Sequence, residues 1–402
     1  MQREMTRMEL KTARRMNHLK ASEIREILKL AEKPEVISFA GGLPAPELFP
    51  VREIIEASRL VLENDAARAL QYTTTEGFAP LRRRVASRMN ARLGTDLSAD
   101  QVLITHGSQQ ALDLAGKVFL DEGDVVLCES PTYLAAISAF RAYGCEFLEV
   151  PTDDEGMIID KLDELLASCP RARLIYVIPD FQNPTGRTWS LERRRALAEV
   201  SARHGVAVIE DNPYGELRFE GDFLPGVKHF DKDGNVLITG TFSKIFCPGY
   251  RIGWVAGDAA LIRKFVLVKQ GTDLQCNTLA QMEIEKYMEL NDIDAHIRII
   301  RATYKRRRDI ALETMDALFP KCVTYTRPSG GLFMWVTLPE HLSARDLLVK
   351  CLEKNVAFVP GGSFFPAGGH ENTFRLNFSN TSEDRLREGM ERLAAVLREA
   401  VG

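Results

Sequence analysis

The sequence predicts an α/β fold, with a large domain built on a mostly parallel sheet flanked by helices and a smaller α+β domain attached to it. Three observations carry that prediction. From about Val51 to Ala256 short apolar runs alternate with amphipathic helical patterns, and strand–helix–strand alternation builds parallel sheets covered on both faces. After that region come long helical patterns, and then short strands around a single helix. At 402 residues the chain also exceeds what one hydrophobic core comfortably serves.

The elements follow in order. "QVLIT", "DVVLCE", "EFLEVP", "ARLIYVIP", "VAVIED", "NVLITG" and "RIGWVAG" are short, apolar and rich in branched residues, as buried strands are. Between them "QQALDLAGKVFLD", "YLAAISAFRAYG" and "LERRRALAEVSARHG" carry helical spacing. Leu261 to Gln270 and roughly Asn277 to Leu318 continue as helix. "CVTYTRPSGGLFMWVTLP", "VAFVPGG" and "TFRLNFSN" are strands around the helix "ARDLLVKCLEKN", and "SEDRLREGMERLAAVLREA" closes the chain as a helix. The domains expected are an N-terminal segment, 1–50, joining the small domain and covering the site, a large domain, 51–285, and a small one, 286–402.

Composition narrows the function. With 45% apolar and 27% charged residues and a net charge of −4, the chain resembles ordinary globular enzymes, and neither nucleic acid nor a membrane is an expected partner. The triplets Arg82–Arg84, Arg193–Arg195 and Arg306–Arg308 sit in helical patterns and are expected to be solvated helix faces. The N-terminus lacks the apolar core of a secretory signal. Seven scattered cysteines without C-x-x-C spacing argue for a reducing, cytoplasmic setting and against zinc. No histidine pair has metal-ligand spacing, so no metal is expected.

Chemistry concentrates at strand ends, where ligands bind in open parallel sheets. "LITHGSQQALDL" leaves a strand and enters a helix whose first amides can hold an anion. "VIPDFQNPTG" puts Asn183 in a turn stiffened by Pro184 and Gly186. "VAVIEDNPYGEL" ends a strand at Asp211, three residues before Tyr214, and "VLITGTFSK" ends another before Lys244. Such residues, with Ser, Thr and Arg beside an anion-ready helix terminus, suit a phosphorylated, flat, nitrogen-containing aldehyde.

The ordered set "FAGGLPAPELFP", "QYTTTEGFAPLR", "GSQQALDL", "FQNPTG", "EDNPYGEL", "TFSKIFCPGYRIGW" and "FRLNFSN" resembles the class I/II, fold-type-I aminotransferases that use pyridoxal 5'-phosphate. The 2-aminoadipate and kynurenine aminotransferase branch is the nearest in pattern, from about Lys20 to the C-terminus. The resemblance implies ping-pong transfer of an amino group from an L-amino acid to a 2-oxo acid such as 2-oxoglutarate or pyruvate. It implies that Lys244 forms the Schiff base and then acts as base, because an amine held out of water can be neutral and nucleophilic. Asp211 would keep the ring nitrogen protonated. Asn183 and Tyr214 would bond the phenolate oxygen, and Tyr133 would stack on the ring. Ser108, Gln109, Thr241, Ser243 and Arg251 would hold the phosphate. For the substrate, Arg375 would grip the α-carboxylate, Asn183 would assist, and Gly41 and Gly42 would lie where the N-terminal segment closes. Arg25, in a covering helix, would read acidic side chains. Tyr72 would reach the phosphate of a neighbouring subunit, making a homodimer with shared sites.

Three positions depart from the family pattern: Thr241 replaces a common serine, Asn212–Pro213 an acidic residue and alanine, and Asp180 a frequent serine. They are expected to touch the surroundings of the ring. Two other readings stand beside the transaminase: a β-lyase on the same scaffold, and a ligand-sensing domain without catalysis, which needs a DNA-binding module ahead of the "GGLP" turn.

Overall fold

In the computed structural model, residues 10–18 and 33–402 are described, and the alternation seen in the sequence becomes two sheets and a small third pairing. Strand β1 (Ile37–Ser38) precedes the large sheet. That sheet contains β2 (Val102–Thr105), β3 (Val125–Ser130), β4 (Glu146–Asp153), β5 (Gly156–Met157), β6 (Ala172–Val177), β7 (Ala207–Asp211), β8 (Val236–Thr241) and β9 (Gly253–Ala256). Their order is β2-β9-β8-β7-β6-β3-β4-β5. Neighbours from β8 through β4 are parallel, whereas β9 runs against both β8 and β2.

Alternate residues of these strands face opposite layers, as the period of two requires. Val126, Leu174, Tyr176, Ile209 and Leu237 join one core cluster. Val125, Leu127, Ile175, Val208 and Val236 join another with the helices Ile159–Ser168 and Leu191–His204. Burial on both faces explains why the strands read as unbroken apolar runs.

Local signals set the helix ends. Asp258 caps Ala259–Gln270 by accepting from the amides of Ala260 and Leu261, and Gly205, at φ 64°, closes Leu191–His204. The long pattern from Asn277 to Leu318 is two helices, Thr278–Leu290 and Ile293–Leu318, the second capped by Asp292. Strands β10 (Thr324–Tyr325), β11 (Phe333–Thr337), β13 (Val359–Pro360) and β14 (Thr373–Asn377) make an antiparallel sheet in the order β10-β11-β14-β13. Strand β12 (Val356–Ala357) pairs with β1.

The arginine triplets correct the sequence reading, because each sends at least one guanidinium inward. Arg82, Arg194, Arg307 and Arg308 are buried. Arg82 donates to the Val102 carbonyl and Arg307 to that of Ser379, and Arg194 is paired with Asp180. A buried arginine is tolerated when it is paired, and a run of charge does not reveal partners that are distant in sequence. Among the described residues no helix is long and apolar enough to cross a membrane.

Candidate active site

The carboxyl ends of β2, β3, β6, β7 and β8 open onto one cavity of about 460 Å³. Because β9 runs the other way, its beginning, where Arg251 stands at φ 53°, lies at the same edge. Ser108 and Gln109 line the cavity from the first turn of the helix Gly107–Phe119, together with Tyr133, Asn183, Asp211 and Tyr214. Thr241, Ser243, Lys244 and Arg251 line it from the β8–β9 connection, and Gly42 and Arg375 close it. All but three of the site residues expected from sequence therefore share one cavity, and Gly41, beside Gly42, is not among its lining residues. Tyr72 is not among its lining residues and is 78% exposed at the surface. Arg25 lies outside the described residues.

Lys244 follows β8 and donates from Nζ to the Gly42 carbonyl at 2.8 Å. Removal of its amine from water, with Arg375 and Arg251 nearby, lowers its pKa to about 8. Much of the amine is then neutral under mildly alkaline conditions.

Asp211 is almost fully buried and accepts from Thr239 Oγ1 at 2.7 Å and Tyr176 OH at 2.8 Å. Burial raises its pKa, and those two hydrogen bonds oppose the rise. Among the described residues no cation pairs with this carboxylate. Tyr176 was missed in the sequence, where it sits inside the apolar run "LIYVIP"; the clue was that a buried tyrosine needs a partner for its hydroxyl.

Arg375, on β14, is buried, and burial lowers its pKa to about 10. Its Nη1 donates to Asn183 Oδ1 at 2.8 Å and its Nη2 to the Ala40 carbonyl at 2.7 Å. Its guanidinium lies 4.2 Å from the centroid of the Phe333 ring and 5.1 Å from that of Phe364. Asn183 Nδ2 approaches Tyr214 OH at 3.5 Å. Phe333, a second wall that was not foreseen, also meets Tyr214 edge-on at 5.8 Å.

At the other end Thr241 Oγ1 donates to Ser243 Oγ at 2.8 Å, and Arg251 Nη1 lies 3.5 Å from the same oxygen. A Cβ on Gly107 would lie 2.7 Å from Arg251 Nη2, and Gly107 has φ 69°, so glycine keeps the gap between helix terminus and guanidinium open.

The departures from the family pattern divide. Thr241 and Pro213 line the cavity, whereas Asp180 and Asn212 are not among its lining residues and bond to each other behind its wall at 3.1 Å. Burial acts to raise the Asp180 carboxyl, but Arg194 and Arg218 outweigh it and hold the pKa below the ordinary carboxylate value.

Comparison with known proteins adds a family match. The model of the family "Aminotransferase class I and II" matches residues 34–393. The aromatic-amino-acid aminotransferase 1 of Thermococcus litoralis is 48% identical over 95% of this chain and 92% of its own length. The kynurenine aminotransferase of Pyrococcus horikoshii, solved with PMP and kynurenine, superposes with a TM-score of 0.93 at 43% identity, covering 97% of this chain and 98% of that one. The α-aminoadipate aminotransferase of Thermus thermophilus, solved with N-(5'-phosphopyridoxyl)-L-leucine, gives a TM-score of 0.90 at 42% identity over 97% and 98% of the two chains.

Proposed function

We propose, from the premise that this chain belongs to the class I and II aminotransferases, an assignment of roles within its pyridoxal-phosphate-dependent transamination. The cavity fits the cofactor. The buried, cation-free carboxylate of Asp211 suits a protonated ring nitrogen, and the gap kept by Gly107 beside Arg251 and the helix terminus suits a phosphate. Once bound, the cofactor supplies an aldehyde that condenses with amines and a ring that accepts the electrons left when the substrate Cα loses its proton.

The carrying observation is that a lysine with a lowered pKa, a buried carboxylate and two arginines face one cavity. Lys244 would hold the cofactor covalently, and its Nζ, when free, would take and move the proton of the substrate Cα. Asp211 orients and charges the ring. Asn183 and Tyr214 donate to the phenolate oxygen, and Tyr133 packs on the ring face. Ser108, Gln109, Thr241, Ser243 and Arg251 bind the phosphate. Arg375 binds the substrate carboxylate against Phe333, with Asn183 between them and Gly42 at the cover. The expected segments 1–50, 51–285 and 286–402 serve as the domains, since the eight-stranded sheet falls wholly in the second and the four-stranded sheet in the third.

The donor is an apolar, aromatic or acidic L-amino acid, and the acceptor 2-oxoglutarate or pyruvate. Leu43, Leu134, Ile178 and Phe333 give the cavity apolar walls for the first two donor classes. With Arg251 and Arg375 committed, a second carboxylate calls for Arg25. One donor panel, with pyruvate as acceptor, tests both arginines. Arg375→Ala should lower kcat/KM for acidic and apolar donors alike by roughly 10- to 100-fold, the worth of a charge-assisted pair. Arg25→Ala should lower it for acidic donors only. Losses confined to one donor with Arg375→Ala, or equal for both with Arg25→Ala, would refute the respective role.

A cytoplasmic homodimer completes the reading. Val51, Ile55 and Leu62 are exposed along one side of the helix Val51–Ala69, with Leu70 and Tyr72 exposed just beyond it. A second copy would cover them and receive Tyr72 at its phosphate. Seven free cysteines fit a reducing compartment. Light scattering that gives the mass of one chain, or recovery of the protein outside the cytosol, would overturn this part.

A further inference from the structure

A polar cluster centred on Asp180 joins two walls of the cavity from behind. Asp180 accepts four hydrogen bonds. Arg194 donates to Oδ2 at 3.0 Å and to Oδ1 at 2.9 Å, Arg218 to Oδ1 at 2.9 Å, and Asn212 Nδ2 to Oδ2 at 3.1 Å. These occupy the acceptor positions of an ionised carboxylate.

Asn212 works from both ends of its amide. Its Oδ1 accepts from the Gly215 amide at 3.0 Å, closing the turn that holds Pro213 and Tyr214. A Cβ on Gly215 would lie 2.2 Å from that oxygen, so the turn closes only around glycine. In the other direction Asp180 begins the turn that carries Asn183. Its next residue, Phe181, adopts φ 51°, its ring lies 4.8 Å from the Arg218 guanidinium, and side chains on Gly330 or Gly331 would collide with it. Taking three charges out of water costs more than apolar packing of the same volume would. Stability alone is therefore a poor account of the cluster, whereas fixing two turns 32 residues apart in sequence is a geometric task that it performs.

We infer that Asp180 is a positioning residue that, through Asn212 and the Phe181 turn, sets the spacing between the Asn183 amide and the Tyr214 hydroxyl where they face the cofactor's phenolate oxygen. The inference rests on the function proposed above. Misaligned donors would stabilise the phenolate less, and the nitrogen joining Lys244 to the cofactor would hold its proton to higher pH.

Two variants test this in the protein loaded with pyridoxal phosphate. Asn212→Ala cuts the tether and leaves the ion cluster whole, whereas Asp180→Asn removes the central charge. The reading is the pH midpoint of the visible absorbance change, with the apoenzyme melting temperature measured beside it. Asn212→Ala should raise the midpoint by roughly 0.5–1 pH unit, the effect of one weakened hydrogen bond, and Asp180→Asn, where it folds, should move it the same way. A lowered melting temperature with an unchanged midpoint in Asn212→Ala would overturn the inference and leave the cluster a structural brace. Absence of any pH-dependent band tied to Lys244 in the unmutated protein would overturn the functional reading as well, and so separates the two failures.

Discussion

Lys244→Ala is expected to lower turnover by more than about 10²–10⁴-fold, because in the proposed assignment of roles it removes a general base together with the covalent anchor of the cofactor. The amine stands directly after β8, hydrogen-bonded to the Gly42 carbonyl, with its pKa brought down to about 8 by burial and by Arg375 and Arg251. An ammonium there could neither attack an aldehyde nor accept a proton. Uptake of pyridoxal phosphate by the unmutated apoenzyme should accordingly quicken as pH rises, reach half its limiting rate near pH 8 and level off above it. Borohydride reduction followed by peptide mapping gives the direct check. A pyridoxyl group on a different lysine, or Lys244→Ala turning over near the unmutated rate, would sink the assignment.

Asp211→Asn is expected to keep the cofactor and lose turnover by something on the order of 10²–10³-fold, as removal of one preorganised electrostatic partner does elsewhere. The carboxylate is almost fully buried and held by Tyr176 and Thr239. An amide of the same shape would still fill that place, but it would carry no charge to hold a proton on the ring nitrogen. Cofactor content measured by absorbance, together with single-turnover rates, separates binding from chemistry. Near-normal rates with a full complement of cofactor would refute the role.

The parts of the site that were legible in the sequence are those whose meaning is local. β7 and β8 are apolar runs that stop near a charged residue, so Asp211 and Lys244 announced themselves at strand ends. Ser108 and Gln109 were readable because a glycine turn after a strand exposes the first amides of a helix. Residues whose meaning depends on distant partners were not legible. Tyr176 looked like core until Asp211 was folded against it. Arg194 looked like a solvated face until Asp180 arrived beneath it. Phe333 lies over the Arg375 guanidinium only because β11 and β14 pair antiparallel, two residues away from the register at which Arg375 meets Trp335. Asp180 and Asn212 were read as neighbours of the ring, and their bond behind the wall came only with the fold.

The reversed direction of β9 has a consequence for how this site can vary. Lys244 and Arg251 stand on one hairpin, closed by the Phe242 amide on the Ile252 carbonyl at 3.0 Å and by the Phe246 amide on the Phe242 carbonyl at 2.9 Å. The separation between the Lys244 amine and the Arg251 guanidinium is thus a ruler cut from the eight consecutive residues 244–251. Drift elsewhere in the sheet would tilt a ligand without changing the length against which it is measured. An insertion between Ile245 and Tyr250 would change that length directly.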